Sequence, residues 1–174
     1  VSASVNHEFK FPLRSKVGFT FQRATETEPD ELGVIKTTPI LFSSDWSGVF
    51  SLVYTLRKWK IDFAYSANIT GPMQLPEIYD LDSNGEPLST PRPTRSKPFY
   101  LDNLQITKNI AKINLKVYVG IENILDYRQP ISPLSGTNDP NYAVGFSPKF
   151  DTSYAFAPLH GREVYAGVRW FVGR

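Results

Sequence analysis

The stretch that decides the fold is Glu163-Val164-Tyr165-Ala166-Gly167-Val168-Arg169-Trp170-Phe171-Val172. Its odd and even positions separate. Val164, Ala166, Val168, Trp170 and Val172 fall on one face; Glu163, Tyr165, Gly167, Arg169 and Phe171 fall on the other. A strand that is apolar on one face, mixed on the other and aromatic at its end suits a sheet with hydrocarbon on one side.

The same period of two recurs along the chain. Residues 3–11 set Val5, His7, Phe9 and Phe11 against Ser4, Asn6, Glu8 and Lys10. Residues 16–23 set Val17, Phe19 and Phe21 against polar or small neighbours. Residues 47–57 place Phe50, Leu52, Tyr54 and Leu56 together. Residues 59–70 align Trp59, Ile61, Phe63, Tyr65, Ala67 and Ile69. Residues 113–122 align Ile113, Leu115, Val117, Val119 and Ile121. Helices would repeat their apolar residues at three and four instead. Residues 98–109 break phase, with Phe99 and Leu101 on one face and Leu104 and Ile106 on the other; a bulge near Asp102-Asn103 would restore it. The reading is all-β, with about seven antiparallel strands of roughly 9–12 residues, the length of a tilted membrane-spanning strand.

Connections alternate short and long. The long ones are about 24–46, 71–97 and 123–162. Short turns on one side and long loops on the other are the habit of outer-membrane barrels. That places the C-terminus on the short-turn, periplasmic side. Phe11, Trp59 and Trp170 then fall near one membrane margin, with Phe99 and Tyr100 near the other, as two aromatic girdles. A sheet in lipid must close, and single-chain bacterial barrels have even strand numbers. Either a strand is hidden near residues 33–38, or the chain is the end of a larger barrel. The start at Val1, without Met or a signal segment, favours the second.

Composition narrows the function. The chain has 174 residues, one domain's length, and no run approaches the 18 apolar residues of a membrane helix. Net charge is +2 with signs interspersed, so no nucleic-acid partner is expected. The absence of cysteine removes disulfides and thiolate chemistry. No phosphate loop, His-Glu-x-x-His or Gly-x-Ser-x-Gly is present, so no enzyme, catalytic residue, cofactor or metal site is expected. His7 and His160 each lack a second ligand at metal spacing. Glu26, Glu28, Asp30 and Glu31, like Asp80, Asp82 and Glu86, read as solvated loop acids. Lys10, Lys16, Arg57, Lys60, Lys116 and Arg169 on the polar faces would pair with an internal domain or with lumen neighbours, such as Lys60 with Asp62.

Three segments together resemble the C-terminal barrel of TonB-dependent outer-membrane receptors, especially those of the Bacteroidetes. Residues 118–127, Tyr-Val-Gly-Ile-Glu-Asn-Ile-Leu-Asp-Tyr, look like the penultimate strand and its exit. Residues 150–162, Phe-Asp-Thr-Ser-Tyr-Ala-Phe-Ala-Pro-Leu-His-Gly-Arg, look like the last extracellular loop. Tyr165-x-Gly167-x-Arg169-Trp170 looks like the terminal strand read by the insertion machinery, with Val172 where the family usually has an aromatic. The resemblance covers most of residues 46–174. It implies the last third of a barrel of roughly 22 strands around a plug. It also implies outer-membrane lipid, the remaining barrel and plug, the TonB complex and a small extracellular ligand as partners. The ligand class would be an iron chelate, cobalamin, another metal complex or a glycan. Two other readings stand beside it: a small, complete eight-stranded barrel with an adhesive or structural role, and a soluble β-barrel or sandwich holding an apolar ligand inside.

Overall fold

A computed structural model describes residues 1–29, 32–81, 84, 86–131 and 154–172. Asp30, Glu31, Asp82 and the 150–153 part of the last-loop motif lie outside them. Among the described residues there are eleven strands, one 3-10 turn and no α-helix. The strands are β1 (Ser2–Glu8), β2 (Leu13–Phe21), β3 (Thr25–Pro29), β4 (Ile35–Pro39), β5 (Trp46–Leu56), β6 (Ile61–Thr70), β7 (Tyr79–Leu81), β8 (Pro87–Pro91), β9 (Phe99–Ile110), β10 (Leu115–Glu122) and β11 (Glu163–Trp170).

Seven of them form one antiparallel meander in the order β1-β2-β5-β6-β9-β10-β11. The sheet stays open, with β1 and β11 as its edges. Successive strands pair because short turns join them at one end, across residues 9–12, 57–60 and 111–114. The last two turns each hold a left-handed residue, Lys60 at φ 50° and Asn114 at φ 53°. All three long connections leave the opposite end.

Several boundaries differ from the alternation pattern. Phe9, Phe11, Trp59 and Lys60 lie in turns, and Ile113 lies in the 3-10 turn, so their period-two positions are not strand positions. Residues 33–38 do contribute a strand, β4. It pairs with β3 inside the first long connection and adds nothing to the sheet. The second long connection carries its own hairpin, β7 with β8.

The bulge expected near Asp102-Asn103 is absent. β9 pairs with β6 without interruption from Phe99↔Thr70 to Lys108↔Ile61. Phe99 and Leu101 therefore stay on the polar face. They are apolar there because loop residues cover them. Met73, Leu75, Phe99 and Tyr154 form the buried core, with Ile78, Leu101, Tyr127, Ile131, Phe156 and Ala157 packed around it. The core thus sits at the long-connection end of the sheet.

Candidate functional site

Cross-strand partners share a face, so the registers sort every side chain of the sheet. One row runs Val5, Val17, Phe50, Ala67, Asp102. A second runs Leu13, Tyr54, Phe63, Ile106, Val119, Ala166. With the rows between them they make one apolar face crossing all seven strands. It is uncovered: Val5 is 67% exposed, Phe19 51%, Val119 46% and Val168 63%. Its interruptions are few. Lys108 donates to the Trp59 carbonyl at the turn end. Asp102 is buried, because Ile124 and Leu125 fold back and donate backbone N–H to its carbonyl and carboxylate, at 3.0 and 3.4 Å.

Aromatic rings stand at both margins of this face. Phe21 pairs with Trp46 at the long-connection end, and Tyr100 lies one row inward. Trp46 lies across Gly71, where a Cβ would come within 2.7 Å of its indole. At the turn end Trp170 is 67% exposed, and its indole N–H donates to the Ile113 carbonyl at 3.0 Å. Phe11 and Trp59 extend from the turns. Phe99 does not join them. It is the strand neighbour of Tyr100, so it points to the other face, where it is buried and stacked on Tyr127 at 5.3 Å. Trp46 was missed in the sequence because it begins its strand, where alternation has no earlier residue to register; Phe21 was read as part of its strand's apolar face but not as a margin residue.

The other face is polar, carrying Ser, Thr, Asn, Gln and charged residues from every strand. On β10 and β11 it has a specific construction. Tyr118 faces Gly167, and Gly120 faces Tyr165. Each ring lies over the opposite glycine: a Cβ on Gly120 would approach Tyr165 Cε1 within 2.8 Å, and one on Gly167 would approach Tyr118 Cε2 within 2.9 Å. Lying flat lets Tyr165 cross β10, and its hydroxyl donates to Gln105 Oε1 on β9 at 3.0 Å. Tyr165, Gly167 and Arg169 of the terminal-strand motif are thus on the polar face, and Trp170 is on the apolar one. Val172 follows the last strand and is exposed.

The residues 118–127 motif also has a physical reading. β10 ends at Glu122, and Asn123 turns the chain in the left-handed region at φ 52°. Its amide side chain accepts from Tyr127 N–H and donates to the Tyr127 carbonyl, at 2.9 and 2.7 Å, as a local turn clamp. Asp126, also left-handed, accepts the Arg162 backbone N–H at 2.7 Å. That bond, more than the nearby Arg128 and Arg162 charges, holds the Asp126 carboxyl below its ordinary pKa. Arg162 closes the link by donating from Nε to the Ile124 carbonyl at 2.8 Å. Gly161 leaves these side chains room: a Cβ would meet Arg128 Nε at 2.6 Å and lie closer still to Asp126, so both side-chain ends would have to swing aside.

Next to this turn, Gln129 ties the last loop down. Its Oε1 accepts from Phe156 and Ala157 N–H at 2.9 and 3.1 Å, and its Nε2 donates to the Ile131 and Tyr154 carbonyls at 2.6 and 3.0 Å. Tyr154 is fully buried and donates to the Pro93 carbonyl at 2.7 Å, while burial raises its phenol pKa. The Arg92 guanidinium covers the Tyr154 ring at 5.1 Å and pairs with Asp80 at 2.6 Å. Sequence reasoning treated Asp80 as a solvated acid and did not single out Gln129 or Arg92. Their partners lie dozens of residues away, and no local pattern marks them.

Of the sequence-predicted cations, Lys10, Arg57 and Lys60 lie in turns; Lys16, Lys116 and Arg169 lie on the polar face. Asp62 accepts from Thr55 Oγ1 at 2.7 Å and does not pair with Lys60. His7 stands edge-on to Phe9 at 4.4 Å, and His160 lies 3.2 Å from Glu163. Among the described residues no three potential ligands converge as a metal site. No family model matches the chain, and no curated protein matches it.

Proposed function

We propose that this chain is part of the wall of a transmembrane β-barrel, of the TonB-dependent receptor type, that takes up a scarce, bulky ligand across the bacterial outer membrane. One observation carries the reading: a single uncovered apolar face runs across all seven strands, opposite a polar face, with every long connection at the same end. Soluble sheets turn their apolar face inward, and exposed apolar patches of this extent mark a surface that something covers. Hydrocarbon is a cover without shape requirements, and the polar face would line a hydrated lumen. The strands suit that span. At about 3.4 Å per residue and a tilt near 45°, the longer ones cross a hydrocarbon layer.

The receptor type, the TonB coupling and the ligand class (an iron chelate, cobalamin, another metal complex or a glycan) rest on the resemblance of residues 118–127, 150–162 and 165–170. The smaller complete barrel is less favoured, because β4 pairs with β3 and adds no eighth strand to the sheet. A soluble carrier is less favoured because its apolar face would be enclosed.

The membrane part is tested by reconstitution into vesicles containing lipids brominated at different depths. Trp46, Trp59 and Trp170 stand at the margins, so bromines near the headgroups should quench their fluorescence more than bromines at chain ends. No quenching at any depth refutes the membrane reading. The transport part is tested in the full-length gene. Its deletion should abolish TonB-dependent accumulation of one of these ligand classes, and normal uptake of all of them refutes the receptor reading alone.

A further inference from the structure

Lys116 and Arg169 are direct cross-strand partners on the polar face of β10 and β11. Like charges in that position repel. Among the described residues neither has an acidic partner: the ion pairs there are Arg92–Asp80, Arg95–Asp45, Arg128–Asp126 and His160–Glu163. Both line one cleft of about 300 Å³, together with Tyr118, Gln105, Thr107 and Asp62. Asp62 is the one acid there, and its carboxylate is engaged by the Thr55 hydroxyl. The two cations are also positioned. Lys116 Nζ lies over the Phe171 ring at 5.5 Å, a contact that favours a cation. Tyr118 lies flat over Gly167, which brings its phenol to β11 two residues from Arg169.

Two unneutralised cations and a phenol converging on one cleft have the donor set of an oxyanion site. Arg supplies a planar fork and Lys a point charge. We propose that Lys116, Arg169 and Tyr118 bind an oxyanion, the carboxylate or phosphate group of a small solute, on the polar face at the short-turn end of the sheet. The bound anion offsets the Lys116–Arg169 repulsion, which explains why two cations are tolerated opposite each other. The inference does not depend on the membrane reading. It requires only that the polar face meet water.

The test uses the folded chain in a zwitterionic detergent at low ionic strength, with inorganic phosphate as probe and sodium chloride at matched ionic strength as control. The urea midpoint should rise saturably with millimolar phosphate and much less with chloride. Lys116→Gln should have a higher midpoint than wild type at low salt and bind phosphate about tenfold more weakly, the loss of one charge-assisted hydrogen bond. Arg169→Lys keeps the charge and should retain most of the response. Tyr118→Phe keeps the ring over Gly167 and should weaken phosphate binding without lowering the midpoint steeply. Coincident phosphate and chloride curves, or a wild-type phosphate response in Lys116→Gln, overturn the proposal.

Discussion

Replacing Gly120 by Ala tests whether the Tyr165 ring, and not the backbone, demands glycine on β10. Gly120 is extended and would accept a side chain on conformational grounds, and Ala there would gain about 0.5–1 kcal/mol over Gly. The ring opposes this. A Cβ would stand 2.8 Å from Tyr165 Cε1 and nearer to Cζ and Oη, so the ring must retreat by about 1 Å to reach ordinary contact. That motion strains the 3.0 Å hydrogen bond from Tyr165 to Gln105, a loss of about 1 kcal/mol. Displacing a packed ring adds about 1–3 kcal/mol. The net expectation is a destabilisation of roughly 1–3 kcal/mol.

The assay is urea unfolding of the folded chain followed by tryptophan fluorescence, with Gly120→Ala made in two backgrounds. In wild type the midpoint should fall. In Tyr165→Ala the ring is gone, so the same substitution should become neutral or stabilising, by about 0.5–1 kcal/mol. The sign reversal is the signature of direct coupling between neighbours. An equal loss in both backgrounds would refute the reasoning and place the glycine requirement in the strand itself.

Three further outcomes are expected. Val119→Arg, in the middle of the apolar face, should cost about 2–4 kcal/mol in a bilayer but stay within about 0.5 kcal/mol if that face meets water; unfolding from vesicles and from detergent-free buffer separates the two. Asp126, whose carboxyl pKa is depressed chiefly by the Arg162 N–H, stabilises the folded loop above its ordinary, unfolded-state value of 3.8. That contribution is lost as pH falls through the lower folded value, so Asp126→Asn should flatten the acid limb of a midpoint-versus-pH curve. Gln129→Ala removes four hydrogen bonds at the loop-end core and should cost about 2–4 kcal/mol there, read as lost hydrogen-exchange protection at the Phe156 and Ala157 amides.

The sheet was largely legible in the sequence because its two faces meet different surroundings. Where both stay uniform, as in β5, β6 and β11, alternation located the strands to within about two residues. It failed where a third environment intrudes. Phe99 and Leu101 are apolar on the polar face because loop residues cover them, and the pattern alone made that look like a bulge. Asp102 is the mirror case, a carboxylate on the apolar face that a returning turn buries. β3 was invisible for another reason. Its Thr-Glu-Thr-Glu-Pro sequence has no apolar face to register, and it is held by pairing with β4 and a Thr27–Thr37 hydroxyl contact at 2.9 Å.

The placement of the buried core bears on what covers the rest. Met73, Leu75, Phe99 and Tyr154, with Gln129 and Arg92 beside them, lie at the end where the long connections meet. Those loops are tied to the sheet by buried, hydrogen-bonded polar groups, which satisfies irregular backbone that could not stand in hydrocarbon. Apart from Asp102, which the turn after β10 covers, the sheet's apolar face carries no buried polar side chain among the described residues, and its aliphatic and aromatic residues stand exposed. Another protein covering it would need matching knobs and holes across seven strands, whereas lipid chains conform to any surface. Aromatic rings at both margins, with the Trp170 N–H already bonded to a turn carbonyl, are the arrangement a water–hydrocarbon boundary favours. On the proposed membrane reading, the polar-tied loop end and the bare apolar face would answer to different solvents. This is why lipid is the stronger candidate for the cover, and why Val119→Arg discriminates between lipid and water.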